Sequence, residues 1–264
     1  TGDIDYKGTV EVTGNVTTGF AVKAEGDIIV NGVVEGATLI SGGNIVLKRG
    51  MQGMDRGMLQ AEGNITAKFL ENCKVRCKGM LKADAILHSD VECQENVDIL
   101  GKKGLINGGS LSTYADVHAT TLGSTMGAST KIKIISDKEL IIRANEIKAE
   151  VENKEETLQK IDEVVNRVKG QLASNQEVLP EQMNYLKQAT VNKPLLVKQI
   201  RELREEREKL LVRIEKNKHS CIRVEGAVYS GIDITVKDVS KVQHEQVSHC
   251  RFVRDGADVR IVGL

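Results

Sequence analysis

Hydrophobic and polar positions in the first 136 residues recur in one short unit. An apolar residue, a spacer, a small residue and a second spacer lead to Gly-Asp or Gly-Asn and another apolar residue. Six segments carry it, some imperfectly: Val22-Lys-Ala-Glu-Gly-Asp-Ile28, Leu39-Ile-Ser-Gly-Gly-Asn-Ile45, Leu59-Gln-Ala-Glu-Gly-Asn-Ile65, Val75-Arg-Cys-Lys-Gly-Met-Leu81, Val91-Glu-Cys-Gln-Glu-Asn-Val97 and Leu111-Ser-Thr-Tyr-Ala-Asp-Val117. Their starts lie 17, 20, 16, 16 and 20 residues apart, too close for a helical repeat and about one turn of a strand solenoid. Val10-Glu-Val-Thr-Gly-Asn-Val16 and Gly2-Asp3-Ile4 carry the same signature and read as partial coils. The pattern predicts a parallel β-helix.

In such a ladder each coil lies about 4.8 Å above the last, so equivalent residues stack on their own kind. Ala24, Ser41, Ala61, Cys77, Cys93 and Thr113 are expected to form one interior column of small side chains. Gly26, Gly43, Gly63 and Gly79 are expected to supply positive φ at a corner. The side chains of Asp27, Asn44, Asn64, Asn96 and Asp116 are expected to accept local backbone hydrogen bonds there. Met80, Glu95 and Ala115 break the motif.

Near Asp137 the periodicity changes from two to three and four. Leu140, Ile147, Val151, Leu158, Ile161, Val165, Val168 and Leu172 are separated by 7, 4, 7, 3, 4, 3 and 4 residues, a heptad seam. The seam resumes with Met183, Leu186, Leu196, Ile200, Leu203, Leu210 and Ile214, with Arg207 on a seam position. Two arms of about 35 residues, each roughly 50 Å long, are expected to form an antiparallel hairpin, the second interrupted near Asn192-Lys-Pro194. Strand alternation returns at Ile222 and Val224, and Asp255-Gly256 marks a terminal β-hairpin that could cover the open end of the solenoid. The expected organisation is therefore a β-helix over 1–136, a coiled-coil insertion over 137–219, and strands over 220–264 that complete or cap the β-helix.

Composition narrows the function. With no Trp and 3% aromatic residues, the core must be aliphatic, and aromatic platforms for sugar rings are scarce. The 37 basic and 37 acidic residues cancel, leaving no overall field to draw in nucleic acid or an anionic membrane. Five Cys with no CxxC pair point to a reducing, cytoplasmic setting. No apolar run approaches the roughly 20 residues that span a bilayer. The missing initiator Met suggests a trimmed fragment.

Several stretches together resemble the flagellar assembly protein A (FapA) family of bacteria. They are Val22-Lys-Ala-Glu-Gly-Asp-Ile-Ile-Val-Asn-Gly-Val-Val-Glu-Gly-Ala37, Gly50-Met-Gln-Gly53, Ala67-Lys-Phe-Leu-Glu-Asn72, His88-Ser89, Gly104-Leu-Ile-Asn-Gly-Gly109, Leu122-Gly-Ser124 and Val228-Tyr-Ser-Gly-Ile-Asp-Ile. The resemblance covers nearly the whole chain, without the N-terminal domain that family members typically carry. It implies a right-handed parallel β-helix, a scaffold-like or polymer-forming role, and protein partners concerned with flagellar placement or signalling. It supplies no catalytic motif.

Candidate chemistry is sparse. His219, Cys221, His244, His249 and Cys250 are of the types zinc favours, but their spacing fits no compact zinc motif. In His88-Ser89-Asp90, neighbouring residues of an extended segment face opposite sides, so no triad converges. Many β-helices are polysaccharide lyases or hydrolases, which makes a carbohydrate-active enzyme the alternative class. Its clustered carboxylates are missing, because Asp27, Glu35, Asp55, Glu62, Glu71, Asp84 and Asp90 are spread singly. Lys48-Arg-Gly-Met-Gln-Gly-Met-Asp-Arg-Gly57 is the longest interruption of the ladder and reads as an excursion from it. Its Lys48, Arg49, Asp55 and Arg56, and Asn175, Gln176 and Glu177 at the hairpin tip, are the expected partner contacts. No catalytic residue, metal, cofactor, nucleic acid or membrane insertion is expected. A non-enzymatic scaffold, with self-association open to it, is the expected function.

Overall fold

The computed structural model describes residues 2–174 and 178–264. They fall into two compact units, one of residues 1–136 and 217–264, the other of residues 137–216.

The first unit is a β-solenoid of about seven turns, with three walls of parallel strands that pair in register from coil to coil. On the first wall Val22, Leu39, Leu59, Val75, Val91, Leu111, Ile132 and Ile234 form one continuous inward column. Ile28, Ile45, Ile65, Leu81, Val97, Val117 and Ile222 do so on the second. Val34, Met51, Leu70, Ile86, Ile106, Leu122 and Val228 line the third. All belong to one hydrophobic core. The period-two alternation sends every second residue inward, and a one-residue slip would expose an entire column.

The small-residue column lies where the sequence places it. Ala24 pairs with Ser41, Ser41 with Ala61, Ala61 with Cys77, Cys77 with Cys93, and Cys93 with Thr113. All six are buried. Size is only part of the reason for their selection. Ser41 Oγ donates to Gly26 O at 2.7 Å, Cys77 Sγ to Gly63 O at 3.3 Å, Cys93 Sγ to Gly79 O at 3.1 Å and Thr113 Oγ1 to Glu95 O at 2.6 Å. Four of the six side chains thus donate to a corner carbonyl of the preceding coil.

The corner glycines require a correction. Gly26, Gly43, Gly63 and Gly79 do not have positive φ. Their constraint is steric, because successive coils approach closely at this corner. A Cβ on Gly79 would stand 2.7 Å from the carbonyl carbon and oxygen of Gly63 and 2.4 Å from Asn64 Oδ1. The backbone amides that these Asp and Asn side chains accept from are likewise on the next coil, not local. Asp27 Oδ1 accepts from Asn44 N at 2.6 Å, Asn44 Oδ1 from Asn64 N at 2.8 Å, and Asn64 Oδ1 from Met80 N at 2.8 Å. Met80 has no oxygen to continue this ladder, which restarts where Asn96 Oδ1 accepts from Asp116 N at 3.4 Å and Asp116 Oδ1 from Cys221 N at 2.8 Å.

Lys48–Gly57 is not an excursion. It lies within the strand Ile45–Ala61 and pairs through Gly50, Met51 and Gln52 with Phe69, Leu70 and Glu71, as the third wall of its own coil. The register shifts twice, between Leu47 and Gly50 and between Gln52 and Gly57, and in the second bulge Met54 and Asp55 adopt positive φ.

The last coil meets antiparallel strands. Ile232–Lys237 pairs with Val239–Gln243, and Ile222–Val228 with Val247–Asp255, which turns through Gly256 into Asp258–Gly263. Phe252, the register partner of Ile222, is fully buried. In sequence, both helices lie between Thr130–Ile135 and Ile222–Val228, strands that each pair within the solenoid.

The second unit is a pair of helices, α1 (Lys138–Ala173) and α2 (Pro180–Asn217). Ile147, Val151 and Ile200 form its buried centre, with Leu158, Leu196, Leu203 and Leu210 packed against them. Ion pairs tie the arms together, among them Arg143 to Glu206 at 3.0 Å and Lys193 to Asp162. Arg207 keeps its seam position because its Nε donates to Ala144 O at 3.3 Å. The expected interruption at Pro194 does not occur, and α2 runs through it. Leu196 and Ile200 pack into the buried centre on its C-terminal side, and Lys193 beside it pairs with Asp162 of α1. Towards the tip the seam loosens, with Leu172 and Met183 exposed.

Candidate functional site

Alternation leaves one outward column for each inward one, and these columns carry the accessible chemistry. Over the first wall Gln60, Arg76, Glu92 and Ser112 stack in register. Arg76 pairs with Glu92 at 3.4 Å, Lys78 with Glu62 at 2.6 Å, and Ser110 Oγ donates to Asp90 Oδ1 at 2.8 Å. Two shallow grooves of about 360 and 510 Å³ run along these columns. Their charges are largely satisfied by one another, and exposed pairs of this kind contribute at most about 1 kcal/mol.

The expected contact residues are divided between two corners. Lys48 and Arg49 are exposed where the second wall turns into the third. They lie between the register pairs Leu47–Ala67 and Gly50–Phe69, beside Lys68 of the next coil. That corner continues through Asp84, whose N–H donates to Lys68 O at 2.9 Å, and Leu105 N reaches Asp84 O at 3.3 Å after the loop holding Lys102 and Lys103. Asp55 and Arg56 belong to the bulge at the next corner, where Thr18 Oγ1 donates to Met54 Sδ at 3.6 Å. Asn175, Gln176 and Glu177 lie outside the described residues. Lys68, Lys102 and Lys103 were missed because residues from three different coils become neighbours only through the register.

Beside the first of these corners is a cavity of about 360 Å³, mostly apolar, lined by Phe69, Ala85 and Leu87 and rimmed by Lys68, Lys102 and Lys103, with Glu71 and Asp84. Gly50, the register partner of Phe69, adopts φ +148, and a Cβ there would stand 2.7 Å from the Phe69 ring.

The other sequence candidates are dispersed. Ser89 turns inward, where its Oγ donates to Leu87 O at 2.9 Å and accepts from Cys73 N at 3.2 Å, while His88 and Asp90 face solvent. Apart from those candidates, Asp116 is engaged with Cys221 N, and His118 Nδ1 lies 3.4 Å from Asp98 of the coil below. Among the described residues no three His, Cys, Asp or Glu side chains group in a way that could hold a metal. The resolved shifts in acidity concern mainly inward-facing thiols. Burial raises Cys73 to about 11. Its hydrogen bond with Cys77, together with burial, holds Cys93 far above the ordinary thiol range. Burial also raises Cys221, with Asp116 adding to it, and Cys250. Thiols so shifted are poor nucleophiles at neutral pH.

In-register parallel coils, an antiparallel closing segment and an inserted helical pair define a β-solenoid protein. The family model described as Flagellar Assembly Protein A beta solenoid domain matches residues 1–259, and the chain belongs to that family. No curated protein and no solved structure matches it. No helix among the described residues is long and apolar enough to cross a membrane.

Proposed function

We propose that this chain is a non-enzymatic scaffold of flagellar assembly or placement, in the cytoplasm, that presents docking surfaces to protein partners on its solenoid and on the insertion of residues 137–219. The single observation that carries this reading is the division of labour across each coil. Inward positions are committed to the core and to the inter-coil hydrogen bonds, which leaves recognition to outward columns that alternate in charge and polarity. A repeating, rigid lattice of that kind suits an extended protein interface better than a deep catalytic cleft. Self-association through the same faces is part of the proposal.

Affinity capture with the whole chain and with a version in which a short Gly-Ser linker replaces residues 137–219 tests it. A defined set of flagellar or signalling proteins retained by the whole chain, and divided between solenoid and helical unit in the shortened one, is the expected result. Calcium-dependent release of unsaturated sugars from an acidic polysaccharide would instead establish the carbohydrate-active alternative.

A further inference from the structure

The corner between the second and third walls gathers five exposed cations from three coils: Lys48, Arg49, Lys68, Lys102 and Lys103. None of them has an ion-pair partner among the described residues, whereas Arg76 and Lys78 on the first wall are both paired. Lys48 and Arg49 are one coil spacing of about 4.8 Å from Lys68, and the Lys102–Lys103 loop is two spacings further on, past the coil of Asp84. Lys68, Lys102 and Lys103 border the mostly apolar cavity of about 360 Å³ lined by Phe69 and Leu87, both half-buried and outward-facing, and Lys48 and Arg49 extend the row beyond it.

An unpaired basic row and an apolar hole make different demands on a ligand. The row asks for several negative charges in an extended arrangement, and the cavity asks for a large apolar side chain. Half-buried Asp84 interrupts the row, and its Oδ1 would stand 2.4 Å from a Cβ on Gly101, beneath the Lys102 loop. A uniformly charged polyanion would meet this carboxylate at close range. A peptide, whose carboxylates are separated by neutral backbone, can step over it.

We propose that this corner is a docking site for an acidic protein segment, which lies along the solenoid axis and buries one apolar side chain, such as Leu or Phe, between Phe69 and Leu87. The proposal deepens the scaffold reading and rests on it. Carboxylates of the segment meet the lysines at the rim and set orientation and on-rate, while the apolar anchor supplies the desolvated contact that slows dissociation.

A peptide array in which Asp, Glu, Leu, Phe, Ser and Gln occur in all orders, probed with the whole chain, tests the proposal. The expected result is enrichment of peptides with a Leu or Phe flanked by acids. Fluorescence polarisation of an enriched peptide should show affinity falling about ten-fold with Lys102→Glu plus Lys103→Glu, and falling again as salt rises from about 100 to 300 mM. Leu87→Ser should weaken binding and leave its salt dependence in place, and Lys131→Glu plus Lys133→Glu, an equal charge change on the first wall, should leave binding unchanged. Circular dichroism confirms that each variant is folded. Absence of acid-flanked enrichment, or binding indifferent to the reversals at Lys102 and Lys103, overturns the proposal. Displacement of the peptide by single-stranded RNA at equal concentration also overturns it, in favour of a general polyanion site. Partner capture that survives the Lys102 and Lys103 reversals would reject this corner and leave the scaffold reading standing.

Discussion

Thr113 Oγ1 donates to Glu95 O at 2.6 Å and accepts from Ala115 N at 3.2 Å, so one buried hydroxyl satisfies a carbonyl of the coil below and an amide of its own turn. Ser41 does the same between Gly26 O at 2.7 Å and Gly43 N at 3.1 Å. The thiols of Cys77 and Cys93 make the weaker donor bond only. The interior column is therefore a file of donors as well as of small volumes, and where Ala24 and Ala61 interrupt it the corner relies on backbone bonds such as Gly63 N to Gly43 O at 2.8 Å.

Thr113→Val keeps the shape and removes both bonds, leaving buried polar groups unsatisfied. A loss of about 1–3 kcal/mol is expected from urea unfolding. Cys93→Ser keeps a donor in the same place and should change stability by less than about 1 kcal/mol, the contrast that separates hydrogen bonding from packing.

Gly79→Ala should cost about 1–3 kcal/mol, because the new methyl meets the Gly63 backbone of the neighbouring coil at 2.7 Å. Gly14→Ala meets nothing within 4 Å and should be near neutral. Thermal unfolding of the two variants checks whether coil spacing, rather than backbone conformation, selects glycine at this corner.

Alkaline pH should destabilise the solenoid. The Cys73 thiol rises from 9.0 to about 11 on folding, so between these values the unfolded chain has released a proton that the folded chain retains. Its contribution is complete below pH 9 and is lost as pH climbs through 11, worth roughly 2–3 kcal/mol across that window. Urea midpoints measured from pH 8 to 11 should fall, and Cys73→Ser should flatten the decline.

Pro194 lies inside α2, where proline costs about 3 kcal/mol relative to alanine in an unsupported helix. Pro194→Ala should stabilise the helical unit by about 1–3 kcal/mol, seen as a higher helix melting temperature with no change in the strand signal.

Much of the solenoid was legible in the chain because its order is local and periodic. Each coil repeats the alternation of the last, so spacing alone predicts that Ala61, Cys77 and Cys93 share a column, and heptads in the same way predict the paired helices. Two errors share one cause. The unit Gly-Asp or Gly-Asn reads as a turn signal, yet Gly79 answers to the backbone of Gly63 and Asn64 Oδ1 to the amide of Met80, partners one coil away. Lys48–Gly57 looks irregular because its Gly and Met residues blur the alternation, although Met51 continues the third-wall column between Val34 and Leu70.

What the chain determined by itself was the repeat, the aliphatic core and the helical insertion, since periodicity and composition act over a few residues at a time. Only the tertiary structure decided which residues of different coils become neighbours. Lys48 and Arg49 share a corner with Lys68 and the Lys102–Lys103 loop because coils of unequal length are brought into register by bulges and corners. That alignment is set by the sum of inter-coil hydrogen bonds and core packing, quantities that no single repeat contains.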